Sequence, residues 1–84
     1  MNVELRCYGA VRTALGAQSL ERSLPEGATV ATVLDRLGEA NPDFARLARD
    51  EDGVVVMRDR THLDRDAPLA DGDVVSLSTS PVRD

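Results

Sequence analysis

The chain has 84 residues, 42% of them apolar, with a net charge of −5 in which all ten basic residues are arginine and ten of the fifteen acids are aspartate. That length gives one domain, which buries roughly 60–65% of its unfolded surface and so needs a small, complete core. An acidic chain with dispersed arginines lacks the basic stripe that nucleic-acid phosphates require, and an anionic membrane would repel it. No run approaches membrane-spanning length. A single cysteine allows no internal disulfide and fits a cytoplasmic protein.

Val3, Leu5 and Cys7 alternate with Glu4, Arg6 and Tyr8, the period-2 signal of a half-buried strand rather than a signal peptide. Residues Ala10 to Gly16 read as a short loop closed by glycine. A second strand is expected from Ser19 to Leu24, with Leu20 and Leu24 on one face, ended by the turn residues Pro25-Glu26-Gly27. Thr29 is placed to cap a helix, because its hydroxyl can accept an orphan backbone N–H. Val30, Val33, Leu34 and Leu37 then fall at i, i+3, i+4 and i+7, one apolar stripe. Pro42 cannot continue that helix and restricts Asn41, so it ends near Ala40. Phe44, Leu47 and Ala48 suggest a short helical turn returning to the core.

The acidic stretch Asp50-Glu51-Asp52-Gly53 leads into a strand at Val54–Met57. Arg58-Asp59-Arg60 turns into a short strand near Thr61 to Leu63, and Asp71-Gly72-Asp73 turns into a last strand at Val74–Leu77. Periodicity therefore supports an α+β class: a mixed four- to five-stranded sheet with one main helix on one face, in a single domain over residues 1–84. Residues 78–84 are expected to form a flexible C-terminal tail.

Few residues carry chemistry of their own. Cys7 shares the inward phase of Val3 and Leu5, which makes it a small core residue rather than a sulfur acceptor. One His and one Cys cannot complete a typical structural zinc site, so His62 reads as a surface residue near a turn and no metal site is expected. Asp43, Asp50, Glu51 and Asp52 read as a solvated loop region rather than a cation site. No P-loop, dinucleotide fingerprint, metal motif or hydrolase motif is present, so neither a catalytic residue nor a cofactor is assigned.

The segments Leu5-Arg6-Cys7-Tyr8-Gly9-Ala10-Val11-Arg12, Leu24-Pro25-Glu26-Gly27-Ala28-Thr29-Val30, Val33-Leu34-Asp35-Arg36-Leu37 and Ala67-Pro68-Leu69-Ala70-Asp71-Gly72-Asp73-Val74-Val75 together resemble a known family. In this order and spacing they are similar to the small subunit of molybdopterin synthase and its sulfur-carrier relatives, and to the ubiquitin-like small modifiers of archaea. The resemblance runs from Val3 to about Leu77. It implies a β-grasp (ubiquitin-like) fold, with the last strand beside the first as a central parallel pair. It also implies a protein cosubstrate rather than an enzyme. An E1-like activating enzyme adenylates the C-terminal carboxylate of such proteins. Sulfur then replaces oxygen for molybdopterin synthesis at the synthase large subunit, or the tail is joined to a target protein.

In ubiquitin-like proteins the sheet face opposite the helix docks partners, and here Tyr8, Val55, Met57 and Val74 fall on that outward phase. Two departures from the family pattern stand out. Asp59-Arg60 replaces the usual Asn-Gly turn between the third and fourth strands. Pro81-Val82-Arg83-Asp84 stands where Pro, Val and two glycines would be expected, and a branched guanidinium would obstruct the narrow channel that the tail must thread. The resemblance favours a carrier or modifier; the Arg83-Asp84 ending favours a non-conjugated β-grasp binding module.

The aspartate excess has two readings, codon usage in a GC-rich genome and adaptation to high salt. Salt adaptation makes a direct prediction. Screening of carboxylate repulsion should raise the melting temperature as KCl increases from low to molar concentration. A flat Tm would leave codon usage as the explanation.

Overall fold

Val3, Leu5 and Cys7 are all buried on one side of the first strand, β1 (Asn2–Cys7), as their alternation requires. The structure, a computed structural model, describes residues 1–49 and 54–79. Antiparallel to β1 runs β2 (Ser19–Ser23), with Leu20 opposite Leu5 and Arg22 opposite Val3. The segment between them corrects the sequence reading: residues 10–16 are not a loop. They belong to a helix, α1 (Gly9–Leu15), closed by Gly16. Val11 is fully buried, and Ala14 and Leu15 pack against the same core, an i, i+3, i+4 stripe. Gly16 has φ 73° and donates its N–H to the Arg12 carbonyl at 2.8 Å, the left-handed stop that glycine adopts without strain. With one fully buried side chain in seven residues, this helix owes its stability to the surface it covers.

The second helix, α2 (Val30–Ala40), follows the sequence closely. Thr29 holds the N-cap in extended backbone, and its N–H donates to the Thr32 hydroxyl at 3.1 Å, the return arm of a capping box. Val30, Val33, Leu34 and Leu37 are its buried stripe. Asn41 is extended at φ −138° and ψ 101°, as a residue before proline must be. Pro42 then opens α3 (Pro42–Arg49), where its missing N–H leaves no helical bond unmade. The expected single turn is thus a full eight-residue helix. Its Phe44 is completely buried, with Leu47 and Ala48 packed beside it.

Three further strands, β3 (Val55–Arg58), β4 (Thr61–His62) and β5 (Val74–Ser78), complete a five-stranded sheet ordered β2-β1-β5-β3-β4. The central pair, β1 and β5, is parallel, with Leu5 opposite Val75 and Cys7 opposite Leu77. Val56 faces Leu77 from the other side, so the inward residues form continuous buried rows beneath the helices. β5 runs through Ser78, the first residue of the expected tail, which pairs with Val55. Pro81, Val82, Arg83 and Asp84 lie outside the described residues, as do Asp50, Glu51 and Asp52.

The turn Asp71-Gly72-Asp73 ties the start of β1 to the start of β5. Asp71 Oδ1 accepts the Asn2 N–H at 2.7 Å, Gly72 donates to the Asn2 carbonyl at 2.7 Å, and the Asp73 carbonyl accepts the Glu4 N–H at 2.9 Å. The Asp73 carboxylate also accepts from the Ala70 N–H at 2.9 Å and from the Arg58 guanidinium at 2.7 Å. This pair is mostly shielded on the Asp73 side, 18% exposed against 32% for Arg58.

Asp59 and Arg60 join β3 to β4 with φ 53° and 66°, so both central residues of the turn are left-handed. Such a turn matches the twist of a hairpin, but each L-residue with a β-carbon is strained by about 1–2 kcal/mol there. Replacing Asp59-Arg60 by Asn-Gly should therefore stabilise the fold by about 0.5–1 kcal/mol, after the larger unfolded-state entropy of glycine is deducted. The urea midpoint would move up; an unchanged or lower midpoint would contradict the strain argument.

Cys7 is completely buried, and desolvation raises its thiol above 9.0, only partly offset by the Arg12 and Arg22 guanidiniums. The unfolded chain then loses this proton at lower pH than the folded one. The thiol's contribution to stability is complete below the unfolded value and declines as pH rises through it. Stability of the wild type should fall more steeply between pH 8 and 10 than that of Cys7→Ala, and native Cys7 should react with thiol reagents only as the protein opens. Equal slopes and immediate thiol labelling would show the site to be wet.

Candidate functional site

Because Val3, Leu5 and Cys7 point inward with Val56, Val75 and Leu77, the alternate residues of the same strands form the opposite, open face of the sheet. Tyr8 continues the phase of β1 in extended backbone and is 45% exposed, and Val74 is 44% exposed. Val55 and Met57 are half-buried on β3. All four residues expected to dock partners therefore share this face.

The register decides how they sit on it. Met57 is opposite Ser76, which is opposite Arg6, and Val55 is opposite Ser78. Val74 is opposite Glu4. Ser76 and Ser78 thus stand between the apolar residues of β3 and the β1 side of the face. The surface alternates apolar and polar, with Val55 and Met57 as its apolar centre.

One member of the site was hidden in the sequence. Arg12 lies four residues after Tyr8, one helical turn, and its guanidinium carbon is 5.9 Å from the centre of the Tyr8 ring. Its Nε also donates to the Cys7 carbonyl at 3.2 Å. Held by a ring and a carbonyl, the cation is fixed at the corner of the sheet. A shallow depression beside it is lined by Glu4, Arg6, Tyr8, Arg12, Gln18 and Ser19, with Arg6 Nε bonded to Glu4 Oε2 at 2.9 Å. Reading residues 10–16 as a loop concealed the i, i+4 relation that brings Arg12 onto Tyr8.

The same corner is where the chain leaves the sheet. Tyr8 donates its N–H to the Leu77 carbonyl at 3.0 Å, the last link between the β1 side and β5. Gly9, at φ 56°, begins α1, and a β-carbon there would lie 3.9 Å from the Thr79 hydroxyl. Residue 79 thus emerges beside Tyr8 and the start of α1, at the edge of the open face.

The other sequence candidates are dispersed. His62 is exposed on β4 at the far edge of the sheet, and Cys7 is sealed in the core. Asp43 makes an exposed pair with Arg46 at 3.6 Å, and Asp35 approaches Arg65 at 3.9 Å, geometries of little energetic weight. Among the described residues, no three of His, Cys, Asp or Glu come together as metal ligands, and no helix is long and apolar enough to cross a membrane.

Comparison with known proteins agrees with this architecture. No curated protein matches the sequence. The HVO 2177 protein from Haloferax volcanii is 33% identical, aligned over 98% of this chain and 85% of its own, with a TM-score of 0.81. A Pyrococcus furiosus protein assigned as molybdopterin converting factor, subunit 1, is 26% identical over 93% of this chain and 95% of its own, with a TM-score of 0.79. SAMP1 from Haloferax volcanii is 23% identical over 100% of this chain and 99% of its own, also with a TM-score of 0.79, and shows the shared fold. The ThiS family model matches residues 5–78, from the buried centre of β1 to the last residue of β5. The chain belongs to the ThiS family, and its mixed five-stranded sheet with helices on one face is the ubiquitin-like β-grasp.

Proposed function

We propose that this protein is a ubiquitin-like sulfur carrier or small modifier whose reactive group is its C-terminal carboxylate. The observation that carries the reading is the extent of the family match: it runs from Leu5, within β1, through the other four strands and ends at Ser78, the last residue of the central strand β5. The domain is then a rigid handle for a terminal acyl group. It is a protein cosubstrate in the cytoplasm, and the catalytic groups belong to its partners.

The chemistry places two demands on such a chain. In the first step a carboxylate oxygen attacks the α-phosphorus of ATP on an E1-like activating enzyme, and pyrophosphate leaves. In the second, a sulfur nucleophile attacks the acyl carbon and AMP leaves, giving a thiocarboxylate for a synthase large subunit; an amine of a target protein would instead give an amide. Both steps require the tail to be presented along a fixed direction. β5 supplies that direction, because it is hydrogen-bonded on both sides, to β1 and β3.

The docking surface in this reading is the open sheet face, with Val55 and Met57 on β3, Val74 at the start of β5, and Tyr8 with Arg12 beside the end of that strand. Rings and guanidiniums held in place lose little entropy on binding, which suits them to anchor a partner.

Two experiments test this. Native protein incubated with its host's activating enzyme, ATP and a sulfur source should gain the mass of one oxygen exchanged for sulfur, read by intact mass spectrometry. No gain, with another carrier from the same host reacting normally, would favour a non-conjugated β-grasp module that works through what binds its sheet. In the same reaction, Tyr8→Ala and Met57→Asp should each raise the KM for the protein by about fivefold or more, the effect of losing an interface anchor. A KM unchanged in both, with folding intact, would place the docking surface elsewhere.

A further inference from the structure

The sequence contains no lysine. A guanidinium is a delocalised cation with no free lone pair for attack on a carbonyl carbon, so the ten arginines supply no acceptor amine. Within these 84 residues the remaining amine is the α-amino group of Met1. That group is engaged: it donates to the Leu24 carbonyl at 2.8 Å, and Leu24 returns its own N–H to the Met1 carbonyl at 2.7 Å. The pair extends the β1–β2 ladder by one rung beyond the Asn2–Ser23 pairing.

We infer that this chain is an acyl donor closed to amide formation at its side chains and slowed as an acceptor at its terminal amine. The inference rests on the carrier reading for its purpose, but the closure itself is a property of the fold. Self-acylation would need an amine lone pair to attack the activated C-terminal carbonyl carbon. A C–N bond would form, AMP or a thiolate would leave, and the amine would release a proton to water. The Met1 amine must first give up its bond to the Leu24 carbonyl before it can approach a carbonyl carbon. Activated copies of these 84 residues therefore cannot join one another through a side-chain amine, and the Met1 amine is slow to react. Attachment to amines of other proteins, or conversion to a thiocarboxylate, is then favoured over self-linkage. Codon usage can account for how the lysines were lost; the chemical consequence is the same.

The acceptor property is measured without any enzyme. The folded 84-residue protein is treated with N-hydroxysuccinimide acetate near pH 8 and compared with the same protein unfolded in urea. The expected outcome is a single acetyl group on Met1, added about two- to tenfold more slowly in the folded state, the range set by one intramolecular hydrogen bond. Arg46→Lys, at a position whose side chain is 77% exposed, should add a second label at the unfolded-state rate. Labelling of Met1 as fast in the folded as in the unfolded protein would overturn the closure. In a reaction with activating enzyme and ATP, Arg46→Lys should yield self-linked dimers faster than the wild type does through Met1. Wild-type dimers joined through Met1 at the same rate would overturn it as well. Absence of AMP release from both proteins would count against the carrier reading, while the acetylation rates would still decide whether the amine is closed.

Discussion

The parallel pairing of β1 with β5 is the constraint on which the remaining structure depends. These strands come from opposite ends of the described chain, yet they form the centre of the sheet, and each carries one remaining strand or hairpin on its outer side. Their shared rows, Leu5 with Val75 and Cys7 with Leu77, are the floor on which α2 and Phe44 rest. Closing so long a loop costs entropy that must be recovered from contacts made only when both ends meet. The recovery is visible in the residues: the inward phases of both strands are fully buried, and the Asp71–Asp73 turn fastens β1 at its first residues by three short hydrogen bonds. A parallel neighbour also requires a crossover that covers the sheet, and α2 and α3 are that crossover.

Charge is kept out of this core. No polar or charged side chain is buried among the described residues, so the interior needs no ionic partner and creates no desolvation debt. The ion pair with the most shielding, Arg58 with Asp73, joins β3 to the turn before β5, and its carboxylate also holds a backbone N–H. It acts as a local fastener where two loops meet. The other pairs are exposed and weak, consistent with a surface whose charge governs solubility and encounter more than stability.

The open face of the sheet and the end of β5 meet at one corner. Tyr8 belongs to both: its side chain lies on the face, and its backbone holds the end of β5. Arg12, stacked near that ring and bonded to the Cys7 carbonyl, fixes a cation beside the departing chain. A partner that recognises this corner would sense directly whether the central strand is in place. The same economy applies to reactive groups: the thiol is sealed, and the α-amine is bonded into the ladder.

Local pattern in the sequence determined much of this. The alternation of Val3, Leu5 and Cys7, the stripe Val30-Val33-Leu34-Leu37, the Asn41-Pro42 break and the turns at Pro25–Gly27 and Asp71–Asp73 each follow from the backbone preferences of a few adjacent residues. They survive intact in the fold. The family resemblance supplied the β-grasp topology, which periodicity alone could not. Other features were decided by tertiary structure because they depend on residues far apart in the chain. Helix α1 forms because Val11 has a core to cover; its own signal, the stripe Val11, Ala14 and Leu15, is too short to fix a helix without that core. Its formation brings Arg12 onto Tyr8, and the choice of Asp73 over nearer acids as the partner of Arg58 follows from how β3 meets the turn before β5. The interleaving of Ser76 and Ser78 among the apolar residues of the open face is a matter of register. A strand's own sequence fixes which side each residue faces, but only pairing with its neighbours fixes what each residue stands beside.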